Sequence, residues 1–164
     1  MILHAHPRIV PCLWFDRDAE AAVRHYSAIF PRSRTTATSH YGEGAPLPAG
    51  TVLTIAFELD GQPFMALNGG PHEAYTDALS LQVMCDTQAE IDHYWERLAA
   101  GGRPVQCGWL KDRWGVSWQV VPRMVLDIIG GSDAARSQRV LQAVQGMVKL
   151  DIAALQAAAD GRGA

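Results

Sequence analysis

The sequence predicts an α+β fold of two tandem βαβββ modules, and two observations lead to this prediction. First, a short apolar strand, an Asp-x-x-Ala-Glu segment and an amphipathic helix occur twice, seventy residues apart, in Leu13–Glu20 and Val83–Glu90. Second, each helix is followed by a hairpin signal. A repeated supersecondary unit of this kind indicates an internal duplication. Placed side by side, two such modules are expected to form a curved mixed sheet around a cavity, with the helices outside.

The first module is predicted over about residues 8–70. Asp16 and Asp18 offer helix N-caps, and apolar residues then recur at helical spacing until Pro31. The dipeptide Asp60-Gly61 is a strong hairpin signal between two apolar runs. The predicted strands of this module are Ile9–Phe15, Arg34–Tyr41, Thr51–Leu59 and Phe64–Asn68.

The second module is predicted over about residues 78–122. Leu79–Cys85 has the composition of a buried strand, and Thr87-Gln-Ala-Glu90 has the pattern of a capping box at a helix start. Cys107–Pro122 then predicts two strands joined by a tight turn at Asp112–Gly115. The charged triplet Lys111-Asp112-Arg113 is interpreted as a solvated turn.

A helical extension is predicted to follow over about residues 123–160, with its apolar positions mostly at helical spacing and Gly146 as a break. The repeat does not predict this segment. We expect it to pack on the sheet or on a second subunit. Together with the two modules it is interpreted as part of one domain spanning residues 1–164.

Composition excludes several classes of partner. The 164 residues carry a net charge of -3, and Lys and Arg do not cluster as they do in proteins that bind nucleic acid or anionic membranes. No apolar run is long enough to span a membrane. The three cysteines lie far apart, as expected for reduced thiols in a cytoplasmic protein.

Strand alternation predicts which side chains face the cavity. If the apolar residues of Leu79–Cys85 pack under a helix, the residues between them face inward, and the repeat gives the equivalent positions of the first module. The predicted pocket-lining residues are Cys12, Trp14, Ser80, Gln82, Met84, Ser117 and Gln119. The alternative is that the modules simply pack together there, with Gln82 and Gln119 bonded to each other or to water. Cys12 is expected to be a plain buried thiol, since no base lies nearby in the sequence.

Several segments resemble the vicinal-oxygen-chelate superfamily, which includes glyoxalase I, extradiol dioxygenases and bleomycin-resistance proteins. The resemblance is strongest to its PhnB-like subgroup, some of whose members are labelled 3-demethylubiquinone-9 3-methyltransferase. It implies the same paired-module fold and a homodimer. The matching segments are Cys12–Tyr26, Phe57–Gly70, Leu81–Cys85, Gly108–Pro122 and Met147–Leu155.

The resemblance also indicates where a divalent metal would bind, and here the sequence departs from the superfamily. The last-hairpin pattern ends in Glu in many members but in Gln119 here, and the ligand position of the second module falls near Ser80. The first strand has no His, Glu or Gln, and Phe64–Asn68 offers only Asn68. We therefore expect no metal at the usual place. His40 and His72, near loops, are the two histidines of interest.

Two functions remain open from the sequence. One is an enzyme of the glyoxalase/dioxygenase-like class with an unknown substrate and unknown catalytic residues. The alternative is a non-catalytic protein that binds or sequesters a small molecule, as the bleomycin-resistance relatives do. The missing metal ligands favour the alternative, whereas a charged residue inside the pocket would favour an enzyme. Methyl transfer is not expected, because no glycine-rich turn joins a strand to a helix.

Overall fold

The computed structural model describes residues 7–71 and 74–162. The chain divides into two compact units, Met1–Glu73 and Ala74–Ala164. In the residues described, no helix is both long enough and apolar enough to cross a membrane.

The first unit is a βαβββ module whose strands form one mixed sheet in the order β1-β4-β3-β2. Strand β1 is parallel to β4, whereas the β2–β3 and β3–β4 pairs are antiparallel. Asp60 and Gly61, both at positive φ, form the tight turn between β3 and β4, as the sequence predicts. The elements are β1 (Cys12–Phe15), α1 (Ala19–Ile29), β2 (Arg34–His40), β3 (Val52–Leu59) and β4 (Gln62–Asn68).

Helix α1 covers one face of this sheet. Its apolar stripe buries Val23 and Tyr26 against strand residues such as Phe57, which is 1% exposed. Because side chains alternate along a strand, the residues between these buried positions form the opposite face, which we call the open face of the first sheet.

The second unit repeats this topology in its own sheet, with strand order β5-β8-β7-β6. Strand β5 is parallel to β8, and the remaining pairs are antiparallel. The predicted capping box is present, since Thr87 accepts from the Glu90 amide and the Glu90 side chain accepts from the Thr87 amide. The elements are β5 (Leu81–Cys85), α2 (Gln88–Ala99), β6 (Arg103–Pro104), β7 (Trp109–Lys111) and β8 (Ser117–Pro122).

Three helices complete the second unit: α3 (Arg123–Ile129), α4 (Ala134–Gln145) and α5 (Ile152–Ala159). Gly146 ends α4, as predicted, but α3 begins directly after the last strand and was not predicted as a separate helix. Val121 at the end of β8 belongs to a buried cluster with Val125, Val140 and Leu155, which lie on the three helices of this extension. The extension is thus part of the second unit's core rather than a loose appendage.

The α+β class and the two tandem βαβββ modules are confirmed. Each module forms its own four-stranded sheet, where the sequence analysis anticipated one curved sheet. The grouping of residues 1–164 into one domain stays a prediction.

Candidate functional site

The face of the second sheet opposite α2 carries most of the predicted pocket residues. Residues paired across neighbouring strands point to the same side of a sheet. Gln119 pairs with Gln82 on β5 and with Trp109 on β7, and the next pair toward the turn joins Ser117 to Lys111. We call this surface the open face of the second sheet. Its side chains include Ser80, Gln82, Met84, Trp109, Lys111, Ser117 and Gln119, whereas Val121 at the end of β8 is covered by the C-terminal helices.

A chain of hydrogen bonds links three of these residues. The Gln119 amide donates from Nε2 to Ser80 Oγ at 2.8 Å, and its Oε1 accepts from Gln82 Nε2 at 3.4 Å. The second bond is long, so the Gln82 amide is only weakly held. Both polar atoms of Gln119 therefore have partners within the protein, and Gln82, which is exposed, is the member best placed to change partners.

A second polar cluster lies beside the first on the same face. The Asp77 Oδ1 atom accepts a 2.8 Å hydrogen bond from Ser117 Oγ and lies 3.0 Å from Lys111 Nζ. Lys111 also donates to the Tyr75 carbonyl at 3.3 Å. The Ser117 hydrogen bond, followed by Lys111 and Arg103, holds the pKa of the Asp77 carboxyl below its usual range. Asp77 was not identified by the sequence analysis, because it lies in an irregular segment before β5.

The interpretation of Lys111-Asp112-Arg113 as a solvated turn is wrong for two of its three residues. The Lys111 side chain is only 14% exposed, and Asp112 is 3% exposed. The Asp112 carboxylate accepts from the amides of Trp114 and Val116 and from the Trp118 indole. An aspartate that begins a tight turn can bind the amides that the turn leaves unpaired. Asp112 therefore closes the β7–β8 turn and anchors Trp118 in the core.

The first sheet places Cys12 and Trp14 on its own open face, since Leu13 and Phe15, which alternate with them along β1, are buried. Trp14 donates from its indole to the Gly70 carbonyl at 2.9 Å. It also packs on Gly69, where an added Cβ would lie 2.4 Å from the ring. The absence of a side chain at Gly69 is thus what allows the indole to pack closely against this loop, with 41% of Trp14 exposed.

Cys12 is exposed, not buried as expected. Desolvation by its surroundings raises the pKa of the Cys12 thiol, so this group is protonated at neutral pH. Burial raises the pKa of the Cys85 thiol further, to about 12. Neither thiol is activated as a nucleophile.

Asn68, considered above as a metal ligand, has a different role. It is 1% exposed and lies on the α1 side of the first sheet. Its Oδ1 accepts from the Ala19 amide at the start of α1, and its Nδ2 donates to Glu20 and to the Val52 carbonyl. Asp18, predicted as a possible cap, makes no side-chain cap bond. A residue from a distant strand therefore caps this helix.

Comparison with known families identifies the chain. The family model described as 3-demethylubiquinone-9 3-methyltransferase matches residues 7–121. The chain belongs to this family. A PhnB protein from Bacillus cereus, named for the same activity, is 34% identical over 71% of this chain and 99% of its own, with a TM-score of 0.65. A Pseudomonas aeruginosa structure is 23% identical over 71% of this chain and 98% of its own, with a TM-score of 0.59. A search of curated proteins found no match.

The Bacillus cereus relative bears the PhnB name, which agrees with the PhnB-like subgroup that the sequence resembled. The match to the family model ends at residue 121, before α3, so the three C-terminal helices lie outside the region that the family model describes.

The donor set of this PhnB-like protein does not fit a divalent metal at the position used in the superfamily. Over residues 7–71 and 74–162, no three His, Cys, Asp or Glu side chains come together as a ligand group. The equivalent positions hold Ser80 and Gln119, which are neutral and bonded to each other. Oxygen-seeking cations draw most of their binding energy from carboxylates. His40 is exposed at the end of β2, and His72 lies outside the described residues.

The turns between strand and helix also differ from those that bind S-adenosylmethionine or dinucleotides in a doubly wound fold, which require glycines and free helix amides. Here the connections are Asp16–Asp18 and Asp86-Thr87, without glycine. The first helix amides are already bonded to Asn68 in α1 and to Thr87 in α2. The methyltransferase description of the family thus has no matching cofactor turn at either of these two connections.

Proposed function

We propose that this PhnB-like protein binds a small organic molecule on the open face of the second sheet without the help of a divalent metal. The observation that carries the proposal is the hydrogen-bonded group Ser80–Gln119–Gln82, in which Ser80 and Gln119 fall at the positions that the superfamily resemblance indicates for metal ligands. Amides and hydroxyls in this place can donate to and accept from the polar groups of a ligand.

The surroundings of this group support the same proposal. Trp109 lies beside Gln119 on β7, and Met84 lies two residues after Gln82 on β5. Both are half-buried. Small-molecule sites combine apolar and aromatic walls with a few placed polar groups, and this face has that composition. The contribution of Cys12 and Trp14 to the ligand site stays a prediction.

A ligand screen tests the proposal. Thermal unfolding of the wild type is measured against a panel of small aromatic and aliphatic compounds, and each active compound is repeated with Gln119→Ala and Gln142→Ala. Gln142 is an exposed glutamine on α4 and serves as the matched control. We expect at least one compound to stabilise the wild type and Gln142→Ala but not Gln119→Ala. If no compound acts through Gln119, the proposal is wrong.

Metal content provides a separate test. The protein, purified without a chelator or affinity tag, is analysed for metals before and after incubation with Zn, Ni, Mn and Fe(II). We expect no stoichiometric metal that depends on Gln119. A bound metal that is lost in Gln119→Ala would overturn the metal-independent proposal and favour a chelate-type enzyme.

One observation favours an enzyme as the second candidate. The Lys111 ammonium is a half-buried charge on the ligand-binding face, and such a group can stabilise negative charge that develops on a substrate. Against this, Lys111 is paired with Asp77, whose depressed pKa makes it a weak base. Compounds found by the screen are incubated with the protein and followed by mass spectrometry. Product formation that Lys111→Met abolishes, while binding remains, would establish the enzyme.

A further inference from the structure

The Lys111–Ser117–Asp77 cluster has the form of an occupied anion site. The two donors belong to the sheet: Ser117 is 2% exposed and the Lys111 side chain 14% exposed. They lie opposite each other on β7 and β8, so the strand pairing fixes their separation. The carboxylate comes from outside the sheet, on a side chain that is 61% exposed.

This arrangement differs from the other ion pairs of the second unit. Asp86 pairs with Arg123, Asp92 with Lys149 and Asp160 with Arg162, and in these pairs each partner is between 34% and 71% exposed. An exposed ion pair stabilises the fold little, because water solvates each separate charge about as well as the partner ion does. A cation that is largely withdrawn from water needs an anion, since leaving it unpaired is costly. Among the ion-paired cations described in this unit, Lys111 is therefore the one that most requires a carboxylate.

Arg103 adds a second positive charge at the same corner. It pairs with Lys111 across β6 and β7, and its charge acts on the Asp77 carboxyl. The corner thus combines a hydroxyl donor, an ammonium donor and a nearby guanidinium. Charge-assisted hydrogen bonds from such donors bind carboxylates well.

We propose that this corner is the anion-binding end of the ligand site, and that Asp77 occupies it as an internal carboxylate until a ligand carboxylate replaces it. The ligand is then an organic monocarboxylate whose apolar or aromatic body lies along Trp109 and Gln119, the next cross-strand pair on the same face. This inference rests on the proposed function for the body of the ligand, but the corner itself can be tested alone.

The test is chemical rescue of Asp77→Ala by a free carboxylate. Melting temperature is measured in sodium acetate and in sodium chloride at equal ionic strength. Acetate fits the corner without needing the rest of the site. We expect acetate to raise the melting temperature of Asp77→Ala relative to chloride, and to leave the wild type unchanged because Asp77 already fills the corner.

Two further variants serve as controls. Asp86→Ala removes an equally exposed carboxylate, 65% against 61%, from an exposed arginine, and should show no acetate effect. Asp77→Ala combined with Lys111→Met should lose the rescue. If acetate stabilises Asp77→Ala no more than Asp86→Ala, the anion site does not exist.

Asp77→Asn, which keeps the shape of the side chain, is measured in parallel in case the alanine variant folds poorly. It should be stabilised by acetate to a smaller extent, and the same response as the wild type would contradict the proposal.

Benzoate and its neutral analogue benzamide test the ligand class. If Asp77 fills the corner about nine-tenths of the time, its removal should lower the dissociation constant for benzoate about tenfold. Benzamide should bind both forms alike. Acetate rescue without any Gln119-dependent ligand would leave the anion site standing and overturn the proposed function. If ligands depend on Gln119 but acetate does not rescue Asp77→Ala, the proposed function stands and the anion site is overturned.

Discussion

The Asp77 carboxylate shows how one residue couples the candidate site to pH. Its hydrogen bond from Ser117, together with Lys111 and Arg103, depresses its pKa in the folded protein. A group with a depressed folded pKa adds stability that is present above its unfolded pKa and lost as pH falls through the folded pKa.

We therefore predict a pH-dependent stability difference between the wild type and Asp77→Asn. The wild type should be the more stable at neutral pH, and the difference should begin to shrink near the unfolded Asp pKa of about 3.9 and vanish below the folded pKa. Urea unfolding at a series of pH values measures it. The Ser117→Ala background lacks the largest cause of the pKa shift. In this background the stability difference should disappear over a narrower pH range. A difference that is constant with pH would contradict the prediction.

Asp112 is a residue whose loss should strongly destabilise the second unit. Its carboxylate satisfies two backbone amides of the β7–β8 turn and the indole of Trp118. Each buried donor left without an acceptor costs about 1–3 kcal/mol, so Asp112→Ala should lower the free energy of unfolding by about 3–5 kcal/mol. Denaturant titration measures this loss. The exposed Asp16→Ala variant should change stability by no more than about 0.5 kcal/mol. A comparable effect of the two substitutions would show that the Asp112 bonds contribute little.

At the scale of elements, the two equivalent helices are capped in different ways. Helix α2 uses Thr87 and Glu90 from its own first turn, whereas α1 depends on Asn68 from the last strand of its module. Thr87→Ala should therefore cost about 1 kcal/mol, as a local cap does. Asn68→Ala removes the acceptor of the buried Ala19 amide and the donor of two partly buried oxygens, and should cost about 2–4 kcal/mol. Unfolding monitored by circular dichroism compares the two, and equal costs would contradict the role given to Asn68.

The C-terminal helices contribute an apolar core of their own. Leu150 is 1% exposed and belongs to the cluster that joins the extension to Val121 at the end of β8. Leu150→Ala should lower the free energy of unfolding by about 2–5 kcal/mol, as large-to-small changes in a packed core do. Leu141→Ala on the same extension should cost about 1 kcal/mol or less, because Leu141 is 37% exposed. Denaturant titration of both variants checks this, and similar losses would mean that the extension is loosely packed.

At the scale of the whole molecule, we predict a homodimer. The extension carries four large apolar side chains that are between 37% and 43% exposed: Leu126, Ile129, Leu141 and Val148. Their concentration on one segment is typical of an interaction surface. Sedimentation velocity should give twice the 17.8 kDa mass of the chain. Leu126→Asp should shift the protein toward the monomer, and a wild type that sediments as a monomer would contradict the prediction.

The sequence alone was sufficient to predict the elements of both modules except the short strand β6 of the second. Strand runs, the Asp60-Gly61 turn and the Thr87–Glu90 capping box act between residues close together in the chain, so their effect can be read from local patterns. The alternation of β5 and β8 likewise predicted that Ser80, Gln82 and Gln119 share one face, because side chains alternate with a fixed period.

Only the tertiary structure determined what the polar residues do. Asn68 caps a helix forty-nine residues away, Asp112 is buried by the fold of its own turn, and Lys111 meets Asp77 from an irregular segment before β5. Each of these contacts depends on which strands become neighbours and on how much water is excluded there. Local sequence patterns contain neither kind of information, so a charge predicted to be solvated became part of the candidate site.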